Sequence, residues 1–434
     1  MKKRRKQAAA IVTAVAMVLL AASCGQKDPI RRNLISDDSE EETSVLLFAP
    51  MERSKPDVQN IARTAFDKTV IMAEEQLDVR IEYNTYTAKD YQEKSYDDVS
   101  LDRIRHGMDD FYLLNPDVLQ KMGEEGRLAD LSGLDCAKNL REVVRLANTV
   151  DGKLVGIPQE VVVYGLFVNK DMFDRYKLKL PNTPEEFLEC CRVFQEHGIE
   201  TPVGANRWWL ETFVFAQAYA DLYNGSDTEA AIEALNSGES KYSDYMREGF
   251  EFLKEMMDLG YIDVEKAYTY EAIDGEGPDF LAQKTPIVMA YWGAANAETT
   301  YGNPDFNMQV IGFPSERGQM PIVSMTGISA LADSERLEET LDVMEVILSD
   351  EALQAYAKTN KVISPSKNVE VECIPALKPL NDLINNGTYV LASNAGMKVE
   401  QWGNTCLIVR KLLNGASVGE CMAEFDRLQE ETLP

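Results

Sequence analysis

Short apolar runs alternate with amphipathic stretches along the chain from residue 45 onward. Residues 45–48 and 109–114 are apolar enough for strands buried on both faces, and residues 79–83 alternate polar and apolar positions. A helical pattern fills the interval from about 56 to 75. Strands that alternate with helices in this way predict an α/β fold built on mostly parallel sheets.

The most continuous pattern lies between residues 151 and 173. Gly156 and Pro158 interrupt it, and an apolar run at 161–163 then continues into a second strand at 164–169. Asn169, Lys170 and Asp171 are typical of a strand end followed by a helix start. We expect this strand to lie inside an α/β core.

Capping residues mark several later helices. Thr183 with Glu186 and Ser417 with Glu420 have the spacing of capping boxes, and Ser349 stands where a helix would begin. A further helix is expected to open at 206–210 and to run to about Tyr223. Two helices are expected after an apolar strand at 326–331.

The first residues have the pattern of an export signal. A basic head is followed by an apolar run that is too short for a membrane span and by the small residues before Cys24. Residues 21–24, Ala-Ala-Ser-Cys, resemble a lipobox, which predicts a lipid-modified Cys24 at the outer face of the membrane. A plain secretory signal is the alternative. Residues 24–44 are polar and charged, and they predict a disordered tether.

Composition narrows the choice of ligands and partners. The 434 residues are 45% hydrophobic, which suffices for more than one domain, and their net charge is −28. Such a chain repels phosphate backbones, so nucleic acid is excluded as a partner and a lipid anchor is the only membrane contact expected. The sequence lacks a G-x-x-x-x-G-K-[ST] loop, so the chain is not expected to hydrolyse ATP.

Cysteine and histidine are too sparse for most metal or nucleophile sites. After Cys24 there are six cysteines, none of them in C-x-x-C spacing, and there are two histidines in the whole chain. The acidic segment 274–279 does not have the spacing of a calcium-binding EF-hand loop. We therefore expect no metal and no cofactor, and we favour buried free thiols over disulfides.

Two segments carry a family resemblance. G-K-L-x-G-I-P at 152–158, followed by L-F-V-N-K-D-M-F at 166–173, resembles extracellular solute-binding proteins of ABC importers, in particular the carbohydrate-binding, maltodextrin-binding type. A second matching block has strands at 287–293 and 310–314, although Gln283 stands where the family usually has glycine. The resemblance runs from about residue 110 to the C-terminus.

The resemblance implies a two-lobed fold of the periplasmic-binding-protein type, in which each lobe is a mostly parallel sheet flanked by helices. We expect a signal peptide at 1–23, one lobe from 45–160 with 327–389, and the other from 161–326 with 390–434. The chain would cross between lobes three times, near 161–164, 324–327 and 389–392. A monomer is expected.

The resemblance also indicates ligand-contacting aromatic residues, because sugars present apolar faces to flat rings. The candidates are Trp208, Trp209, Tyr291, Trp292 and Trp402. Ordinary core packing is the alternative for each tryptophan, and it is weakest for the adjacent Trp208 and Trp209.

Polar candidates lie near expected strand or helix ends, where crevices form in α/β sheets. They are Asn115, Asp117, Glu160, Arg207 and Asn296. Surface or capping roles are the alternative for each.

The expected function is capture of a carbohydrate, in particular an oligosaccharide, and its delivery to the transmembrane subunits of an ABC permease, without enzymatic activity. A protein of the same fold that binds a peptide, a polyamine or another solute remains an alternative. A secreted carbohydrate-active enzyme with paired carboxylates is a second alternative, although no short motif identifies such a pair.

Overall fold

Strands and helices alternate along the described chain, as the hydrophobic pattern predicts. The computed structural model describes residues 44–53, 61–89, 91–92, 94–207, 209–269, 275–292, 304–370, 375–392 and 396–433. The strands within these ranges are β1 (Ser44–Ala49), β2 (Arg80–Thr85), β3 (Phe111–Leu114), β4 (Thr149–Val150), β5 (Lys153–Leu154), β6 (Val162–Asn169), β7 (Val203–Gly204), β8 (Ile287–Trp292), β9 (Met308–Ile311), β10 (Ile322–Ser324), β11 (Gly327–Ala330) and β12 (Val390–Leu391).

Helices make up the larger part of the described structure. They are α1 (Ile61–Leu77), α2 (Tyr96–Arg105), α3 (Pro116–Glu124), α4 (Glu142–Asn148), α5 (Lys170–Arg175), α6 (Pro184–Glu196), α7 (Glu211–Asn224), α8 (Thr228–Ser237), α9 (Tyr242–Asp258), α10 (Val264–Thr269), α11 (Gly277–Leu281), α12 (Leu337–Ile347), α13 (Asp350–Asn360), α14 (Lys378–Asn385), α15 (Trp402–Leu413) and α16 (Val418–Thr432). Short 3-10 turns lie at Cys136–Asn139 and Pro375–Leu377.

The first sheet has the strand order β11-β3-β1-β2. β1 is parallel to β2 and β3, whereas β11 is antiparallel to β3. Both faces of β1 are covered, because Val45 and Leu47 belong to one apolar cluster with α1 while Phe48 belongs to another with Tyr112. This two-sided burial explains why the strand has a continuous apolar sequence.

The second sheet has the order β12-β10-β6-β8-β7, with β9 also paired to β6. Here the expectation of a mostly parallel sheet is wrong in part: β7 is parallel to β8 and β12 to β10, but β6 is antiparallel to β8, β9 and β10. The reason is connectivity. β6 enters this sheet from the first sheet, and β10 runs back towards it, since Ser324 pairs with Val162 and β11 begins at Gly327.

The segment before residue 389 packs on the second sheet. The turn Pro375–Leu377 and α14 both contact β9, although the sequence pattern of α14 does not show which sheet the helix covers. Within the range expected for the third crossing, Val390–Leu391 form β12 beside β10.

Most of the helix caps follow the expectations. Ser349 caps α13 through the amide of Ala352, and Ser417 with Glu420 forms a complete capping box on α16. Thr183 accepts a hydrogen bond from the amide of Glu186, but the Glu186 carboxylate accepts from the amide of Asn182, so this cap is not a full box. The helix expected from 206–210 begins at Glu211.

The described cysteines are free thiols. Four of them are buried and Cys406 is partly buried, in agreement with the expected apolar packing; the buried ones are Cys136, Cys190, Cys191 and Cys421. Cys24 and Cys373 lie outside the described residues. Burial raises the pKa of the Cys191 and Cys406 thiols well above the usual range, which keeps them protonated and unreactive at neutral pH.

A glycine lies where two strands meet the same edge of β6. β10 pairs with residues 162–164 and β9 with residues 166–169, and Gly165 stands between the two pairings. A Cβ atom at Gly165 would lie 2.5 Å from the backbone carbonyl oxygen of Ile311. The close approach of β9 therefore requires glycine at this position.

We predict that Gly165→Ala lowers the free energy of unfolding by about 1–3 kcal/mol, because the added methyl must push β9 away from β6. Chemical denaturation of the wild type and the variant measures this effect. Gly133→Ala is the matched control, since a Cβ at Gly133 meets nothing within 4 Å. Equal stability of the Gly165→Ala variant and the wild type would contradict the packing described.

Candidate functional site

Four aromatic side chains from separate segments meet beside the second sheet. Tyr164 lies at the centre, with ring centroids 5.2 Å from Tyr291, 5.2 Å from Trp402 and 6.1 Å from Trp209. Trp209 is stacked on Tyr291 with centroids 5.7 Å apart. We call these four residues the aromatic cluster.

Local structure explains how the cluster forms. Tyr164 on β6 is directly opposite Tyr291 on β8 in the antiparallel ladder, so their rings project from the same face. Trp209 lies in the turn before α7, and Trp402 is the first residue of α15. Phe215 of α7 supports Trp402 from behind at 5.7 Å.

The members of the cluster differ in exposure. Trp209 is 8% exposed, and one of its faces is covered by Tyr291. Tyr164, Tyr291 and Trp402 are partly exposed. Trp209 is therefore largely covered, whereas Tyr291 and Trp402 keep part of their side chains exposed.

Elements associated with the first sheet also reach the cluster. Tyr356 on α13, a helix that packs on α1, interacts electrostatically with Tyr291 and with Glu160. Burial and the nearby Glu160 raise the pKa of the Tyr291 hydroxyl well above its usual range. Glu160, at the junction before β6, thus lies near Tyr291 of the aromatic cluster.

A second polar group stands at the carboxyl end of β3. Asn115 precedes α3 and donates a hydrogen bond from Nδ2 to Asp97 at 2.8 Å, and Asp117 lies in the first turn of α3. Burial raises the pKa of Asp97, and the bond from Asn115 partly offsets this effect. Asn115 and Asp117 therefore both lie at the start of α3, directly after β3.

Asp117 is hydrogen-bonded to Glu400, which lies just before α15. The amide of Gly403 donates to Glu400 Oε1 at 2.6 Å, so the start of α15 holds this carboxylate in place. Burial raises the pKa of both carboxyls, and repulsion from Glu400 and Asp97 raises that of Asp117 further. For Glu400, the hydrogen bonds with the Gly403 amide and with Asp117 partly offset the effect of burial, while Asp97 adds to it. Two carboxyls in hydrogen-bond contact share one proton, and this pair joins an element of the first sheet to an element of the second.

Glu211 is a third unusual carboxyl. It is fully buried at the start of α7, and neither of its side-chain oxygens has a hydrogen-bond partner of good geometry in the described structure. Burial raises its pKa to about 8; its own amide, the Cys406 thiol and Arg410 partly offset this. Glu211 and Cys406 both interact electrostatically with Tyr164. The Cys406 thiol also interacts electrostatically with Glu400.

The remaining candidates fall elsewhere. Arg207 donates to the carbonyl oxygen of Tyr268 at 2.7 Å, and its guanidinium lies over the Tyr268 ring, so the contacts described for it are with α10. Trp208, Asn296 and Cys24 lie outside the described residues. Of Trp292 only the backbone at the end of β8 is described, where it pairs with Val163.

Sequence reasoning missed Tyr164, Tyr356 and Glu400 as site residues. Tyr164 could have been found, because a tyrosine that interrupts an apolar strand run needs a partly polar surrounding for its hydroxyl. Tyr356 and Glu400 had no local signal. Their neighbours come from chain segments more than 60 residues away, and only the tertiary structure brings them together.

The described ranges offer neither a metal site nor a membrane-spanning helix. There, no three histidine, cysteine, aspartate or glutamate side chains are arranged to hold a metal ion. In the same part of the chain, no helix is both long enough and apolar enough to cross a bilayer.

Aromatic and carboxyl side chains from elements of both sheets thus lie close to one another. Residues 55–354 match the family model of the bacterial extracellular solute-binding proteins. The chain belongs to this family, whose members are binding proteins, and the resemblance found in the sequence is thereby confirmed.

Solved structures agree with the fold. The apo form of RafE from Streptococcus pneumoniae aligns over 92% of this chain and 100% of its own length, with a TM-score of 0.71 and 14% identity. A family 1 extracellular solute-binding protein from Bifidobacterium longum subsp. infantis aligns over 90% of this chain and 99% of its own, with a TM-score of 0.71 and 17% identity. These likenesses confirm the two-lobed α/β fold.

One curated protein shares a shorter region. The polygalacturonan/rhamnogalacturonan-binding protein YtcQ of Bacillus subtilis (strain 168) is 28% identical over 138 residues, which is 29% of this chain. The match spans about a quarter of the length of YtcQ, 27%.

The shared proton predicts a pH-dependent stability. The pKa of Asp117 is about 7 in the folded protein, against 3.8 for an ordinary aspartate, so the folded state binds the extra proton in between. Proton binding by Asp117 therefore stabilises the folded state fully at low pH, and this stabilisation is lost as the pH rises towards 7. From pH 5 to 8 we expect the wild type to lose about 1–3 kcal/mol more than Asp117→Asn, measured by urea unfolding.

The exposed Glu248 provides the control. Glu248→Gln should follow the wild-type pH profile of stability, because Glu248 is exposed on α9 and is not one of the neighbours of Asp117 or Glu400. If Asp117→Asn has the same pH dependence as the wild type, the Asp117–Glu400 pair does not share a proton.

Proposed function

We propose that this protein captures a carbohydrate in the cleft beside the aromatic cluster and delivers it to an ABC permease. The observation that carries the proposal is the combination of partly exposed rings at Tyr291 and Trp402 with the carboxyls of Asp117, Glu160 and Glu400. Rings stack on the C–H face of a pyranose, and carboxyls accept hydrogen bonds from its hydroxyls.

Hinged closure follows from the connectivity as part of the same proposal. The lobes would comprise residues 45–160 with 327–370 and residues 161–326 with 375–433. They would rotate about the crossings near 161–164 and 324–327 and about a third crossing ahead of residue 375. A ligand that touches both lobes binds the closed form better and shifts the open–closed equilibrium towards it, and hinge closure of this kind is established for periplasmic binding proteins.

Related proteins support a sugar as the ligand. RafE has been crystallised with raffinose; this complex aligns over 90% of the present chain with a TM-score of 0.67 and 16% identity. YtcQ, the partial relative, is named for binding of polygalacturonan and rhamnogalacturonan. Peptides, polyamines and other solutes remain candidates to be separated by experiment.

The acid pair does not have the arrangement of a glycosidase. Retaining and inverting glycosidases hold their two carboxyls roughly 5–9.5 Å apart, so that the sugar or a water fits between them. Asp117 and Glu400 are instead in direct hydrogen-bond contact. This geometry supports binding without hydrolysis.

The export signal and Cys24 support an extracytoplasmic location with a lipid anchor, in line with the extracellular family. In this proposal the residues between Cys24 and β1 form the tether between the anchor and the folded part. Transmembrane subunits of an ABC permease would then receive the solute, while the protein itself works as a monomer.

Binding is expected to depend on Trp402 and Tyr291. A thermal-shift screen of saccharides, peptides and polyamines identifies the ligand, because a compound that binds only the folded state raises the melting temperature. Trp402→Ala and Tyr291→Ala should each weaken the affinity about 10-fold or more, a loss of roughly 1.4 kcal/mol, in titration calorimetry.

Leu407→Ala is the matched control for this experiment. Leu407 is on the same helix as Trp402 but is 57% exposed, so its removal should leave the affinity unchanged. A shift with peptides or polyamines and not with sugars would overturn carbohydrate capture. If both aromatic variants bind the ligand with wild-type affinity, the aromatic cluster does not contact the ligand.

Lipidation at Cys24 can be tested separately. In cells labelled with a palmitate analogue, the wild type should carry the label and sediment with membranes. Cys24→Ser should be unlabelled and soluble, while Cys136→Ser should behave as the wild type because that cysteine is buried. Label on the Cys24→Ser variant would contradict the anchor.

A further inference from the structure

The buried face of α13 changes from apolar to polar in its last turn. Leu353 and Ala357 are apolar residues of this face, whereas Tyr356 and Asn360 bring a hydroxyl and an amide to it. Asn360 is the last residue of the helix and is 2% exposed. Because Tyr356 and Asn360 are four positions apart, their side chains are neighbours on the helix surface. A polar pair therefore lies where the rest of the helix packs apolar side chains.

The amide of Asn360 lacks the hydrogen bonds that a buried amide normally makes. Neither Oδ1 nor Nδ2 has a hydrogen-bond partner among the described residues. The side chain lies beside the Tyr356 hydroxyl, but with a geometry that does not satisfy the amide. Buried polar groups are nearly always hydrogen-bonded, so this amide points to a partner other than the described side chains.

The end of α13 is fixed beside the first crossing. Three residues after Asn360, the carbonyl oxygen of Ile363 accepts a hydrogen bond from the amide of Val161 at 2.9 Å. Nε2 of Gln159 donates to a side-chain hydroxyl of α1 and to a carbonyl oxygen of α12, each at 2.9 Å. The segment that carries Glu160 is therefore anchored on both sides, and it adjoins the polar end of α13.

Tyr356 connects this end of α13 to the aromatic cluster. Its hydroxyl interacts electrostatically with Glu160 and with Tyr291, which lies on β8 of the second sheet. Part of the cover over Tyr356 and Asn360 thus comes from the other sheet. If the lobes part as in the proposed closure motion, this cover is removed and the polar end of α13 becomes accessible from the cleft.

We propose that Asn360 is a ligand-binding residue whose amide hydrogen-bonds a ring hydroxyl of the captured saccharide. This inference rests on the proposed function and names a specificity-determining residue of the same site. An amide offers both a donor and an acceptor, and a sugar hydroxyl can use either. A site that holds an otherwise unpaired polar group discriminates strongly against an analogue without the matching hydroxyl.

The proposal is tested by pairing a change in the protein with a change in the sugar. In Asn360→Leu the amide is replaced by an apolar side chain of similar size. Asn360→Ser is a second, smaller variant for the case that the first does not fold, and circular dichroism shows whether each is folded. Gln354→Leu is the matched control, because Gln354 is an amide on the same helix but is exposed.

Titration calorimetry of the full-length protein measures the affinities. The probes are raffinose, maltotriose, cellotriose, chitotriose and trigalacturonate, each compared with analogues in which one ring hydroxyl is replaced by hydrogen. The wild type and all three variants are titrated with every probe, so that the effect of the amide and the effect of each hydroxyl form a double-mutant cycle.

We expect the tightest-binding probe to lose about 10-fold or more in affinity in the folded Asn360 variant and nothing in Gln354→Leu. At least one of its deoxy analogues should bind the wild type about 10-fold more weakly than the parent sugar does. In the Asn360 variant, that analogue and the parent sugar should bind equally, because the partner of the missing hydroxyl is already absent.

Two outcomes would overturn the inference while leaving carbohydrate capture in place. One is wild-type affinity in the folded Asn360 variant. The other is a loss of affinity that is the same for the parent sugar and every deoxy analogue, because the amide then acts on the protein alone, for example by holding a structural water. Binding of none of the saccharides would instead refute the proposed function itself.

Discussion

The second half of the structure depends on strand β6, because both of its edges are occupied by antiparallel partners. β8 covers one edge, and β10 and β9 share the other, with Gly165 between them. The chain enters the second sheet through β6 and leaves it through β10. Because these two strands are paired, the entering and leaving segments lie side by side. Tyr164 projects from this same strand, so the aromatic cluster is fixed to the strand that carries the chain into the second sheet.

Burial of carboxyl groups is the destabilising part of the arrangement. Asp117, Glu211 and Glu400 are withdrawn from water, which disfavours their charged forms and raises the pKa of each. The large apolar clusters on both sheets supply the stability that offsets this effect.

Local sequence patterns identify elements whose signals lie within a few residues. The strands β6 and β8 and the caps at Ser349 and Ser417 are of this kind. The general rule for strand ends selects Asn115, Asp117 and Glu160, and their contact with a ligand stays a prediction. Trp209 is stacked on Tyr291, and sequence spacing does not show which neighbour covers a ring.

The sequence by itself determined the alternation of strands and helices and the family. It also identified aromatic residues that lie beside the second sheet. Periodicity and motifs of this kind are encoded over short distances along the chain. The tertiary structure alone decided that β6 is antiparallel to its three neighbours, that α14 packs on the second sheet, and that Asp117 meets Glu400. The physical reason is that a shared proton depends on the distance between two groups 283 positions apart in the chain. No local pattern records that distance, and only the packing of both sheets sets it.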